Sequence, residues 1–210
     1  LSHPFNEWRL GRPIFILVGA AVCGLFATLL LRLGTYALLA CWALAATGVA
    51  LYACDYATML RVRRRRPIDL TQRHNIAGVC GLVLTTVLGL ALILTPPGAP
   101  EHARLQLAYA VMALAGWIGL TTLGQLYKIV PFLVWTHRFA PRMGKEKVPL
   151  LKDLYPQRLA NAGFAALLIG LMVAVTGVLL TWLPLIQASF GLATVGTAIA
   201  TTNLIRVVFR

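Results

Sequence analysis

The chain has 210 residues, 59% of them hydrophobic and only 12% charged, and its mean hydropathy is +0.79. A water-soluble domain is about 45–50% apolar and about 25% charged, so this composition excludes soluble enzymes, DNA-binding domains and secreted disulfide scaffolds. The charge is lopsided, with 19 Lys and Arg against 6 Asp and Glu for a formal +13. In a membrane protein such an excess is read by position, because basic residues gather on the cytoplasmic side.

A hydrocarbon core about 30 Å thick is crossed by roughly 20 apolar residues in helix. Six runs reach that length, at about 13–31, 36–60, 76–94, 105–127, 159–183 and 186–208. They are continuous and rich in Leu and Ala, unlike the short alternating segments of a membrane β-barrel. The expectation is an all-α integral membrane protein, a single domain built as a bundle of six transmembrane helices. The first run has no clear small-residue cleavage site before Thr35, so it reads as a span and not as a signal peptide. Between the runs, 33–35 predicts a tight turn, TPPGAPEHAR at 95–104 a Pro/Gly loop, and Pro184 the hairpin joining the last two helices. Pro131 is expected to bend or end the fourth helix.

Six crossings put Arg9 and Arg12, the groups between the second and third helices and between the fourth and fifth, and Arg206 and Arg210 on one face. That face collects 16 basic residues, the other only Arg32 and Arg104, with Lys128 left over. Both termini and both long loops are therefore predicted to be cytoplasmic. The run RVRRRR at 61–66 reads as topology and anionic-lipid contact; nucleic acid is not an expected partner.

Stripes of small residues let helix backbones approach inside lipid. The fifth run carries Gly163, Ala166, Gly170, Ala174 and Gly177, the fourth Ala113, Gly116 and Gly124, and the sixth Ala193, Gly196 and Ala200. Thr121, Gln125 and Lys128 follow i, i+4, i+7 spacing and share one helix face. Two readings apply to that face. One is a substrate or proton site with Lys128 as its charge; in the other, Lys128 snorkels to the interface while Gln125 bonds a neighbouring helix. Phe132, Trp135 and Phe139 read as a headgroup-level belt, with Trp135 its anchor. Asp55 is the acid closest to a span interior, and its expected partner is Arg61 or another arginine of the run up to Arg66.

Haem in a membrane bundle needs axial ligands, usually histidine, inside the helices. His3, His74, His102 and His137 all fall at or beyond the expected helix ends, which leaves haem and histidine-copper sites without support in this chain. Cys23, Cys41, Cys54 and Cys80 form no CxxC. Cys54 and Cys80, with Met59, permit a soft Cu(I) site on paper, but cysteine is equally an ordinary small apolar helix residue. No Walker A loop, GxSxG or zincin pattern occurs, so no catalytic, metal or cofactor-binding residue is assigned.

The segment GWIGLTTLGQLYKIVPFLVWTHRFAPRMGKEKVPLLKDLYP, Gly116 to Pro156, resembles the C-terminal part of bacterial membrane proteins similar to haem-copper oxidase or nitric-oxide reductase subunit I. The stretch DYATMLRVRRRRPIDLTQRH, Asp55 to His74, fits the same group, and KIVPFLVW and VPLLKDLYP carry most of the likeness. Together the two segments cover 61 residues, under a third of the chain. The resemblance implies an oxidase-like helical bundle in which any haem is held by histidines of other helices. No oxidase-type histidine motif matches a residue here, so no ligand is carried over. Since LSHPFNEW reads like mid-loop sequence, the expectation is the C-terminal half of a longer protein, with any haem in the full-length protein or a complex. Three functions follow as expectations: a non-catalytic scaffold or subunit serving respiratory, nitric-oxide or copper-related redox function; a small-solute or ion transporter using the Thr121, Gln125 and Lys128 face; or an accessory subunit docking onto other membrane subunits.

Overall fold

The computed structural model describes residues 8–62, 68–144, 146, 148–150 and 153–209. Among these it is all-helical, with no strand and a single bridge between Met143 and Glu146. Six helical segments are long and apolar enough to cross a membrane. In chain order they comprise α1 (Trp8–Leu30), α2 (Thr35–Val62) and α3 (Leu70–Leu94), then α4 (Pro100–Val111), a π-helical stretch (Met112–Gly119) and α5 (Leu120–Arg138). A 3₁₀ turn (Ala140–Arg142) precedes α6 (Gln157–Leu180) and α7 (Leu183–Val208).

Several ends differ from the sequence expectation, each for a local reason. The third helix begins at Leu70 and not at Ile76, because the Asp69 carboxylate accepts the Gln72 N–H at 2.7 Å and caps it. Arg73 and His74 are thereby helical. Pro100 is the first residue of α4 and Pro184 the second of α7, positions where a missing N–H costs nothing. The α6–α7 hairpin therefore turns at Thr181 and Trp182, before Pro184. Pro131 does not end its helix, which runs on to Arg138.

From Pro100 to Arg138 the helical segment is continuous over 39 residues, about 58 Å at 1.5 Å per residue. That is well beyond the apolar run expected at 105–127. Within it the Leu120 N–H reaches back to the Ala115 carbonyl, the i→i−5 bond that widens a turn and shifts the faces beyond it.

Two turns share one geometry. Arg32 and Thr181 both have φ of 52°, the left-handed region that favours glycine. At each, the next N–H closes a six-residue cap: Leu33 to the Thr28 carbonyl and Trp182 to the Gly177 carbonyl, both at 2.9 Å.

The chain divides into two compact units. The first contains α1, α2 and Leu82–Tyr109. A Cβ on Gly48 would lie 2.7 Å from Val18, and one on Gly24 2.9 Å from the Cys41 sulfur, so α1 and α2 touch nearly backbone to backbone. The Trp42 indole N–H donates to the Thr86 carbonyl at 2.8 Å. Large apolar side chains of these two helices point outward; Phe15 is 80% exposed and Tyr36 90%.

The second unit contains the first part of α3, to Gly81, and the chain from Ala110 onward. Gly163, Gly170 and Gly177 all face α7: Cβ atoms there would meet Ile199 at 2.9 Å, Leu192 at 3.1 Å and Ile186 at 3.0 Å. From the other side, Gly196 faces Leu167 at 2.6 Å. The small-residue stripe read from the sequence is thus the α6–α7 seam. A Cβ on Gly81 would lie 2.7 Å from the backbone of Gly116, so α3 and the π-helical stretch also meet main chain to main chain.

Candidate functional site

The polar residues of the second unit converge near the start of α3. Once Asp69 starts that helix, Leu70, His74, Gly78 and Gly81 fall on one face, at i, i+4 and near-heptad spacing, and all four are buried. Across from them, Gly124 of α5 leaves room for the His74 Cβ, which lies 2.6 Å from where a Cβ on that glycine would be. Close approach at this glycine is what admits an imidazole between the helices.

His74 is 0% exposed. Its Nδ1 lies 2.9 Å from the Leu70 carbonyl oxygen; a carbonyl only accepts, so Nδ1 carries the proton and Nε2 the lone pair. Nε2 has no partner. The ring stands against Phe164 of α6, centroids 4.5 Å apart, and against Tyr127 of α5 at 5.9 Å. Tyr127 in turn accepts at its hydroxyl from the Asn203 amide at 3.4 Å and packs on Tyr155 at 5.3 Å. Asn203 of α7 is also fully buried, and its Oδ1 likewise has no donor among the described residues. Four helices thus meet around one imidazole.

The sequence-derived residues separate. The Thr121 hydroxyl lies directly over Gly78, and the Gln125 amide donates to the Asn75 Oδ1 at 3.3 Å. Both are turned to α3. Lys128 is exposed and lines a cavity of about 560 Å³, whose polar wall includes Asp69, Thr71, Gln125, Tyr155 and Gln157. The α5 face is therefore shared between helix packing and an open pocket. Burial pushes the Tyr155 phenol above its ordinary range, the Asp69 charge adds to that, and a hydrogen bond with Gln157 works against it.

Trp135 is half-buried, and its indole N–H donates to the Pro149 carbonyl at 2.8 Å, so its polar edge ties the following loop to α5. Asp55 and Arg61 form no ion pair among the described residues. Six positions along a helix put two side chains about 240° apart, on diverging faces of α2. Arg63 to Arg66, Lys145, Lys147, Lys152 and Arg210 lie outside the described residues. Cys54 and Cys80 belong to different units, and no group of three His, Cys, Asp or Glu side chains that could hold a metal occurs among the described residues.

Sequence reasoning missed His74, Tyr127, Tyr155, Phe164 and Asn203. The readable signal for the first was the Asp69-x-x-Gln72 cap, which moves the helix start and brings His74 into register with Gly78 and Gly81. The haem implied by the oxidase resemblance does not fit at His74 as packed, because Phe164 and Tyr127 enclose the ring. No family model, curated protein or solved structure matches the chain.

Proposed function

We propose that the chain is a multi-pass protein of a bacterial inner membrane, with both termini and both basic loops cytoplasmic, acting as a non-catalytic helical scaffold or subunit of an oxidase-like redox protein. The membrane part rests on the apolar side chains that six helices turn outward, a surface that water solvates poorly and lipid well. The orientation rests on the 16-to-2 division of basic residues.

The scaffold part is carried by one observation. Gln125 donates to Asn75 and Asn203 to Tyr127, each across to a neighbouring helix of the second unit, while Thr121 packs over Gly78. Such bonds join helices in lipid. The oxidase-like part rests on the resemblance of 55–74 and 116–156 alone.

Cysteine labelling tests the orientation. In a cysteine-free background, Pro97→Cys should react with a membrane-impermeant maleimide on intact spheroplasts, and Gly144→Cys only after lysis; the reverse pattern overturns the assignment. Purification in mild detergent, with the Soret region recorded, tests the scaffold. Retention of a haem-bearing partner supports it, and a chain that runs alone without one overturns it. The cavity beside Lys128 favours a second reading, solute transport, whose signature is uptake by proteoliposomes that Lys128→Met abolishes without loss of fold.

A further inference from the structure

The cavity of the second unit holds two opposite charges that do not neutralise each other. Lys128 and Asp69 both line it, both are exposed, and no ion pair joins them among the described residues. One Asp69 oxygen is used as the helix cap of α3, and the carboxylate's charge acts on Tyr155 across the same cavity wall. Thr71 adds a hydroxyl. On the outer side Ile129 and Phe132, also lining residues, are 48% and 54% exposed.

Charge complementarity narrows the occupant. An anion alone would meet Lys128 favourably and the Asp69 carboxylate unfavourably, and a cation alone would reverse the pair. A zwitterion satisfies both. The Asp69 carboxylate favours a cation that carries N–H donors, which adds a charge-assisted hydrogen bond to the charge attraction; a primary ammonium has them and a quaternary ammonium lacks them. Ile129 and Phe132 lie on the Arg138 side of Lys128 in the same helix, the headgroup level in the membrane reading, where a lipid headgroup supplies such a zwitterion. A volume of about 560 Å³ is within the ordinary range of small-ligand pockets, about 300–1,000 Å³.

We propose that this cavity is a binding site for the headgroup of a phosphoethanolamine lipid, with the phosphate on Lys128 and the ammonium on Asp69. The proposal rests on the membrane reading given above. It adds a zwitterionic lipid to the anionic-lipid contact expected of the run at 61–66.

Native mass spectrometry of the detergent-purified chain tests it, using phosphatidylethanolamine, phosphatidylglycerol and phosphatidylcholine of identical acyl composition. The ethanolamine lipid should be retained about tenfold more strongly than either of the others, the ratio that one charge-assisted hydrogen bond supplies. Lys128→Gln should weaken its retention about tenfold by removing the partner of the phosphate. Asp69→Asn, which keeps a capping side chain, should weaken the ethanolamine lipid and leave phosphatidylglycerol unchanged or stronger. Equal retention of all three lipids overturns the proposal, as does wild-type retention in both variants. Free glycerophosphoethanolamine binding as tightly as the lipid also overturns it, in favour of a soluble zwitterion. Maleimide labelling reports orientation independently, so a chain that labels as expected but does not discriminate these lipids removes this site and leaves the membrane assignment standing.

Discussion

The imidazole of His74 and the phenyl ring of Phe164 lie 4.5 Å apart between centroids, with their planes tilted by 51°. This contact joins α3 to α6 and covers the face of a histidine whose Nε2 has no hydrogen-bond partner among the described residues. A buried acceptor left without a donor costs about 1–3 kcal/mol relative to its hydrated state. The ring's size is therefore worth more to the fold than its second nitrogen.

Two substitutions separate those contributions. His74→Ala removes the ring and opens a void, and should destabilise by about 2–4 kcal/mol. His74→Phe fills the space without a stranded lone pair and should lie within about 1 kcal/mol of the parent. Thermal unfolding in detergent, followed by circular dichroism, makes the comparison. Equal losses in both variants would mean that Nε2 has a partner essential to the fold.

Glycine substitutions should sort by what faces each position and not by sequence context. Gly81→Ala places a methyl 2.7 Å from the Gly116 backbone, where no side chain can yield, and should lower the Tm by several degrees. Gly191 lies within α7 with nothing within 4 Å of a new Cβ. Gly191→Ala should leave the Tm unchanged or raise it, since alanine is favoured over glycine in a helix by up to about 1 kcal/mol.

Arg32 and Thr181 hold left-handed conformations that cost a side-chain-bearing residue about 1–2 kcal/mol. Arg32→Gly and Thr181→Gly should each raise stability by up to about 1 kcal/mol, partly offset by the greater freedom of glycine in the unfolded chain. The gains should add, because each turn is closed by hydrogen bonds within its own hairpin and the two share no partner there. A double mutant no more stable than the parent would show that these turns are not strained.

Tyr155 supplies a pH dependence. Its phenol is held above the ordinary value of 10.0, so the folded state favours the neutral form. The associated stability is complete below that value and is lost as pH rises through the higher folded-state value, because the unfolded chain ionises first. Stability measured between pH 8 and 11 should fall at the alkaline end, and Tyr155→Phe should fall less. A parallel decline in both proteins would assign the alkaline loss to other groups.

Much of the fold was legible from residue order. Apolar run length determined six membrane-length helices, because a bilayer-spanning helix requires about 20 such residues whatever it packs against. Spacing alone also exposed the stripe at Gly163, Gly170 and Gly177, because seven residues return a helix to nearly the same face. Local chemistry would have corrected three helix starts: α3 through the Asp69 cap, and α4 and α7 through proline in the first turn.

Tertiary structure decided the rest. Which neighbour each polar side chain met, Thr121 over Gly78 and Gln125 on Asn75 while Lys128 stayed open, depends on pairing between helices distant in sequence. Periodicity specifies a face and not its partner. The π-helical turn at 112–119 has no local signature, and the cluster of His74, Tyr127, Phe164 and Asn203 draws one residue from each of four helices. The sequence by itself determined the apolar segments and the sorting of charge along them; only packing decided that a histidine expected at a helix end lies buried among aromatic rings.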